Sequence, residues 1–361
     1  MSEAPVLAAV RNRIGHLTLN RPAGLNALNL PMVRLLHRQL QAWAADPEIL
    51  AVVLRANGEK AFCAGGDIRW LYDSYLRADG QHDVFFVEEY ALDQYIHAYP
   101  KPVLALMDGF VLGGGMGLVQ GAALRVVSER TKMGMPEVGI GYFPDVGGSY
   151  FLSRLPGELG TYLGVTGVTI RSADALYAGL ADWCLPSEQF AELDRCLDEM
   201  RWNVHPAEAL RTLLATLAAS RLAGAELKAL HPAIEAHFSQ PDVPAIRASL
   251  QAERRPEYRD WAEETVRLLD GRSPLALCAT LELLRRGGEL SLADCFALEL
   301  HLDRQWFAKG EIMEGVRALL VDKDKTPRWN PPTLAEVDAK RVQAFFADFR
   351  PAAASKPRRQ A

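Results

Sequence analysis

Two glycine-rich turns, "CAGGDI" (63–68) and "LGGGMG" (112–117), each follow a short apolar run and open a helical pattern. Glycine admits positive φ and lets another group approach the backbone closely. A unit of strand, glycine loop and helix that occurs twice restricts the chain to an α/β domain. Neither loop has the spacing of a dinucleotide fingerprint, and neither is followed by the Gly-Lys-Ser/Thr of a phosphate loop. A helix N-terminus carries unpaired N–H groups and a partial positive charge. Two such N–H groups converging from different segments can hold a developing oxyanion. Either loop taken alone is equally well a tight turn.

The rest of the chain organises around these units. "VLAAV" and "IGHLTLN" are β-type runs separated by Arg11, Asn12 and Arg13, and read as a hairpin. "NLPMVRLLHRQLQAWAAD" is helical, with Asn29 as N-cap, Pro31 in the first turn, and Met32, Leu35, Leu36, Leu40 and Trp43 at helical spacing. "AVVLRA" and "LRVVSE" are further strands. The alternation ends near Trp202, and from there to Phe349 the pattern is almost wholly helical. The expected division is a core over 1–202, a helical region over 203–350 covering the site, and a disordered basic tail over 351–361.

Composition excludes several classes. The net charge is −5 with no long basic run before the tail, which argues against nucleic acid as a partner. No stretch reaches the ~18 uninterrupted apolar residues of a membrane span. The N-terminal "MSEAPVLAAVRNRIGHL" has no charged segment followed by a long apolar run, so no secretory signal is expected. The five cysteines, Cys63, Cys184, Cys196, Cys278 and Cys295, are odd in number and lack the spacing of a metal or redox motif. Reduced thiols in a cytoplasmic protein, with no metal, are the expectation.

"KMGMPEVGIGYFPDVGGSYFLSRL" (132–155) sets Glu137 and Asp145 in an apolar, glycine-rich context. Charged residues are seldom buried unless paired or used. A carboxylate among apolar groups is poorly hydrated, which raises its pKa and its basicity. Each also has a plainer reading: Glu137 as a helix-start carboxylate complementing the dipole, and Asp145 as a turn residue. Glu89 in "VEEY" is a third candidate, equally readable as a solvated helix face or an ion-pair partner.

Four motifs in order carry a family resemblance: "LNRPAGLNAL" (19–28), "AFCAGGDIR" (61–69), "KPVLALMDGFVLGGGMGL" (101–118) and "MPEVGIGYFPDVGGSYFLSRL" (135–155). The chain resembles the enoyl-CoA hydratase/isomerase (crotonase) superfamily over roughly 5–200, and "EGVRALLVDKDKTPRW" resembles that family's C-terminal segment. "FFVEEYALD", the Glu137 motif and the long helical C-terminus look like its 3-hydroxyisobutyryl-CoA hydrolase branch. The resemblance implies a spiral of ββα turns that binds an acyl-CoA thioester, with coenzyme A as part of the substrate and no separate cofactor. It places the thioester oxygen between the backbone N–H groups of Gly66 and Gly114. It puts Asn26, Ala27, Gly65, Asp67 and Ile68 along the CoA channel, and Glu89, Gly114, Glu137 and Asp145 against the acyl group. Relatives commonly form trimers, so a homo-oligomer is possible, although the helical C-terminus can fold over the usual trimer surface.

In crotonase-type hydratases two glutamates hold the attacking water, and one of them matches Gly117 here. Its absence lowers hydration as the main reaction. The resemblance then implies that Glu137 attacks the thioester or activates water, and that Asp145 holds the substrate's 3-hydroxyl. The leading expectation is hydrolysis of a short branched 3-hydroxyacyl-CoA, as in valine breakdown. An enoyl-CoA isomerase or hydratase, and a non-catalytic acyl-CoA- or RNA-binding homologue, remain as alternatives.

Overall fold

The structure, a computed structural model, describes residues 4–218, 222 and 224–352. All but the first two residues of the basic tail expected to be disordered thus lie outside the described residues.

β1 (Val6–Arg11) and β2 (Ile14–Leu19) form the expected antiparallel hairpin. Its loop is one residue shorter than the sequence pattern indicates, because Arg11 pairs with Ile14. Asn12 and Arg13 take φ of 44° and 63°, the positive pair that a two-residue hairpin turn requires. In the helix Leu30–Ala45 the Asn29 side chain accepts from the Met32 amide at 3.1 Å, as an N-cap should. Met32, Leu36, Leu40 and Trp43 are buried, while Leu35 lies at the solvent edge.

After this helix the chain repeats one pattern. β3 (Ala51–Ala56) is followed by β4 (Ala61–Cys63), β5 (Val103–Met107) by β6 (Phe110–Leu112), and β7 (Leu124–Val127) by β8 (Lys132–Gly134). The first member of each pair joins a six-stranded sheet that also holds β1, β2 and β10 (Trp183–Cys184), in the order β1-β2-β3-β5-β7-β10. The second member joins a four-stranded sheet with β9 (Ile170–Arg171), in the order β4-β6-β8-β9. Each turn of chain therefore leaves one strand in each sheet, and the first two turns close with a helix. This is the expected ββα spiral. β4 and β6 pair in parallel, Ala61 with Phe110 and Cys63 with Val111. Their downstream glycine loops consequently emerge side by side at one sheet edge.

Ile14, Val53, Leu104 and Val126 of the large sheet are covered by Leu193 and Leu197 of the helix Phe190–Glu199, and by Leu210 and Leu214 of the helix Pro206–Leu217. Trp202 lies between those helices, and its indole N–H donates to the Asn12 carbonyl at 3.0 Å. The later helices pack against the opposite side, and their buried residues merge with the spiral's in one continuous core. Among the described residues no helix is long and apolar enough to cross a membrane.

One C-terminal helix, Leu292–Lys309, reaches the segment that carries Glu137 and Asp145. Its Glu299, Asp303 and Trp306 stand at i, i+4 and i+7, on one face. All three are buried. The Glu299 carboxylate accepts from the Gly147 amide at 2.7 Å, the Ser149 amide at 2.9 Å and the Ser149 hydroxyl at 2.5 Å. It caps the short helix Gly148–Leu152 from outside. Glu299→Ala strands three buried donors, and should lower stability by about 3 kcal/mol or more. Urea unfolding of the two proteins side by side measures this, and a loss below about 1 kcal/mol would show the cap to be dispensable.

Candidate active site

A cavity of about 310 Å³ opens where the two glycine loops meet. Gly65 and Gly66 form one wall, and Gly113 and Gly114 the next. Gly65 has φ of +100° and Gly113 of +50°, so both need glycine's freedom. A Cβ on Gly114 would sit 2.5 Å from the Glu89 carboxylate and 3.4 Å from the Gly66 nitrogen. The loops are thus packed backbone against backbone. Among the described residues neither the Gly66 nor the Gly114 amide donates to a protein acceptor. Two unused N–H groups border one cavity.

Three carboxyl groups face the same space: Glu89, Glu137 and Asp145. Glu137 starts the 3-10 turn Glu137–Ile140, as a helix-start carboxylate would, and is buried as well. Its Oε1 lies 2.6 Å from where a Cβ on Gly113 would be, and its Oε2 is buried with no donor. Burial pushes its pKa well above the ordinary glutamate range, and the Asp145 charge adds to the effect. Asp145 does occupy a turn, with the Gly148 amide donating to its carbonyl at 2.6 Å. Its side chain is nonetheless buried, accepts from the Tyr90 hydroxyl at 2.8 Å, and is pushed by burial up to about 7.

Glu89 is only 2% exposed, which rules out the solvated-face reading. Its neighbour Glu88 takes that place, paired with Arg34 at 2.7 Å. Burial raises the Glu89 pKa well above its usual range, with Asp93, Asp145, Asp303 and Glu137 adding to the shift in that order.

The residues expected along the CoA channel divide into two groups. Gly65 and Ile68 line the cavity. Asn26, Ala27 and Asp67 are not on its wall, and their polar groups are engaged by the protein. The Asn26 amide accepts from the Arg21 amide at 2.8 Å and donates to the Asn57 and Ala61 carbonyls, both at 2.9 Å. The Ala27 carbonyl accepts from Arg21. Asp67 caps the helix Ile68–Arg77 and pairs with Arg21 at 3.1 Å.

Sequence reasoning missed Asp93, Tyr90, Asp303 and Arg272. Asp93 is fully buried, and neither of its oxygens has a donor. A Cβ on Gly117 would lie 2.5 Å from Asp93 Oδ2 and 2.7 Å from Val146 Cβ. The space beside Gly117 is therefore already filled. Asp93 stands four residues after Glu89 in the helix Gln81–His97, and Asp303 stands four after Glu299. A Glu-x-x-x-Asp pair on an otherwise apolar stripe is a signal that could have found both. Arg272 lines the cavity, and among the described residues its side chain bonds to the Thr166 carbonyl alone, at 3.4 Å. Burial lowers its pKa.

Comparison with known proteins agrees with this geometry. The enoyl-CoA hydratase/isomerase family model matches residues 14–346. The mitochondrial 3-hydroxyisobutyryl-CoA hydrolase of Xenopus tropicalis is 39% identical over 93% of this chain and 86% of its own length. A crystal structure of a carnitinyl-CoA dehydratase from Mycobacterium thermoresistibile is 38% identical, with a TM-score of 0.87 over 99% of this chain and 100% of that one. One of an enoyl-CoA hydratase from Rhodobacter sphaeroides 2.4.1 is 36% identical, with a TM-score of 0.86 over 95% and 97%. The Xenopus relative's mitochondrial placement overturns the cytoplasmic expectation. That expectation rested on unpaired thiols, which indicate a reducing milieu without saying which compartment provides it. From motif order, ββα spiral and family match together, the chain belongs to the enoyl-CoA hydratase/isomerase family.

Proposed function

We propose that this protein is a thioester hydrolase acting on 3-hydroxyisobutyryl-CoA or a close short, branched 3-hydroxyacyl-CoA. The observation that carries the reading is one cavity holding two amides without acceptors, Gly66 and Gly114, beside the Glu137 carboxyl, whose Oε2 has no donor. In this reading the amides take the thioester oxygen and hold the negative charge that forms when its carbon becomes tetrahedral. Glu137 supplies the nucleophile, by its own attack, giving an anhydride that water then cleaves, or by taking a proton from water. In both routes the tetrahedral carbon collapses with breakage of its C–S bond, and CoA leaves as the thiolate and is protonated to the free thiol. Asp145 holds the substrate's 3-hydroxyl. Glu89, which burial favours in its neutral form, donates a hydrogen bond to the acyl part. The naming of the Xenopus relative supports the substrate class.

Hydration has less support. It calls for a carboxylate at the Gly117 position to share a water with Glu137, and Asp93 and Val146 occupy that space. Gly117→Glu should therefore fail to install hydratase activity and should reduce soluble yield. Hydration of crotonyl-CoA by a folded Gly117→Glu protein would show that the space can open.

The reading is tested by turnover. Wild-type protein should release free thiol from 3-hydroxyisobutyryl-CoA. A double-bond shift without thiol would indicate an isomerase, and tight binding without turnover a non-catalytic homologue. Glu137→Gln keeps size but removes nucleophile and base, so thiol release should fall by about 10³-fold or more while CoA binding persists. Robust hydrolysis by this variant would sink Glu137's role.

The pH dependence has a definite sign. Both Glu137 and Asp145 act as anions in this mechanism, and both have raised pKa values. Activity should be lost as pH falls, with an acidic limb no lower than about 7, where Asp145 titrates. A flat profile from pH 5 to 8 would contradict it. Asp145→Ala should harm 3-hydroxyacyl substrates by about tenfold or more beyond its effect on their deoxy analogues, because only the former use the hydroxyl contact. Equal losses would leave Asp145 without a part in selectivity.

A further inference from the structure

The Tyr90 hydroxyl lies between two carboxyl groups, 2.8 Å from Asp145 Oδ2 and 2.6 Å from Asp303 Oδ2. All three residues are buried. A phenol has one proton to donate. Two carboxylates at these distances cannot both accept it. One of the two contacts must run the other way, from a protonated carboxyl to the phenol oxygen. The phenol is itself kept neutral, since burial and the surrounding acids push its pKa upward.

The surroundings decide which acid carries the proton. Asp145 borders the cavity, where water and substrate can reach it. Asp303 does not. The second oxygen of Asp303 is buried without a donor. An ionised carboxylate would leave a charged oxygen unsatisfied there, whereas a neutral acid leaves only a carbonyl oxygen, at far lower cost. Arg304, next along the chain, pairs with Asp83 at 2.7 Å instead.

We propose that Asp303 is held as the neutral acid and acts as a positioning residue: it donates to the Tyr90 oxygen, and so turns the single Tyr90 proton onto Asp145. Asp145 Oδ2 then receives a fixed donor from behind, which favours its anionic form and aims its other oxygen at the cavity. The assignment rests on the reading of Asp145 as a group that meets substrate. It explains how Asp145 stays charged although Glu137, Glu89, Asp93 and Glu299 face it without a compensating cation. Burial is what chiefly disfavours ionisation of Asp303; the nearby Asp83 adds to it, the Tyr90 contact and Arg304 oppose it, and Glu89 is the other acid that Asp303 acts on.

Asparagine at 303 can donate an N–H to Tyr90 as the neutral acid does, and leucine cannot. Asp303→Asn should therefore keep kcat/KM within about threefold of wild type with an unmoved acidic limb, while Asp303→Leu and Tyr90→Phe should move that limb to higher pH. The expected loss for Tyr90→Phe is about tenfold at pH 6 and under about threefold at pH 9. A difference infrared spectrum of wild type against Asp303→Asn should show a protonated-carboxyl band present only in the wild type. That readout needs no turnover, so it separates failure of this proposal from failure of the hydrolase reading. Absence of the band overturns the proposal. So does an Asp303→Asn variant, folded by circular dichroism, that loses as much activity as Asp303→Leu, or a Tyr90→Phe loss that is equal at both pH values.

Discussion

The site depends on one face of one helix. Glu299, Asp303 and Trp306 grip the segment from Glu137 to Ser149 at three points along its length. Trp306 donates to the Gly141 carbonyl at 2.7 Å, Asp303 reaches Asp145 through Tyr90, and Glu299 binds Gly147 and Ser149. The gripped segment does not take its shape from local preference. Val146, β-branched and buried, has φ of 50°, a conformation that costs energy unless packing enforces it. The strained residue directly follows Asp145. The helical C-terminal region thus helps to build the site, and losing this helix would release the backbone that presents Glu137 and Asp145.

That grip creates an electrostatic problem. Glu89, Asp93, Glu137, Asp145, Glu299 and Asp303 are all buried in one part of the interior, and among the described residues none lies within ion-pair distance of an arginine or lysine. The surface meanwhile holds many such pairs, including Arg195 with Glu192 and Glu199. Without cations, a group of acids this close lowers its energy by keeping protons. Asp93 and Asp303, which are not on the cavity wall, have donor-free oxygens and lose least by being neutral. Charge is then left to Glu137 and Asp145 beside the cavity, where water and two free amides can stabilise it. Access to the cavity does the sorting that ion pairs perform elsewhere in the molecule.

Much of the scaffold was legible because its signals are local. The Asn29 cap, the hairpin and the two glycine loops are each set by a few adjacent residues. Very short strands such as β8, β9 and β10 were not legible, since so short a run has no periodicity to read. Glu137, Asp145, Gly66 and Gly114 stood out through motif order, and the fold brings all four to one cavity. Asn26 sits in an equally distinctive motif, yet its side chain bridges Arg21, Asn57 and Ala61 within the protein. A motif marks a residue as constrained without saying whether the constraint is ligand or fold. Asp303 escaped notice for a different reason: its partner Tyr90 lies 213 residues away in sequence, and no local pattern records such a contact.

The relatives by structure are named as a hydratase and a dehydratase, whereas the Xenopus relative is named as a hydrolase. In the proposed reading the paired loop amides stabilise negative charge on a thioester oxygen, whether it arises from an enolate or a tetrahedral adduct, so one scaffold can serve both. What separates the outcomes is where the carboxyl groups stand around that oxygen. A glutamate rising from the Gly117 position would put a second carboxylate on the same helix as the Gly114 amide. Here the neighbouring helix Gln81–His97 sends Asp93 into that space and Glu89 towards Gly114, while the C-terminal helix reaches Asp145 through Tyr90. The space beside Gly117 is filled, which leaves no place there for a carboxylate that would share a water with Glu137. In the proposed hydrolase reading, Gly117 and the Asp93 that packs against it leave no room for a second carboxylate at position 117.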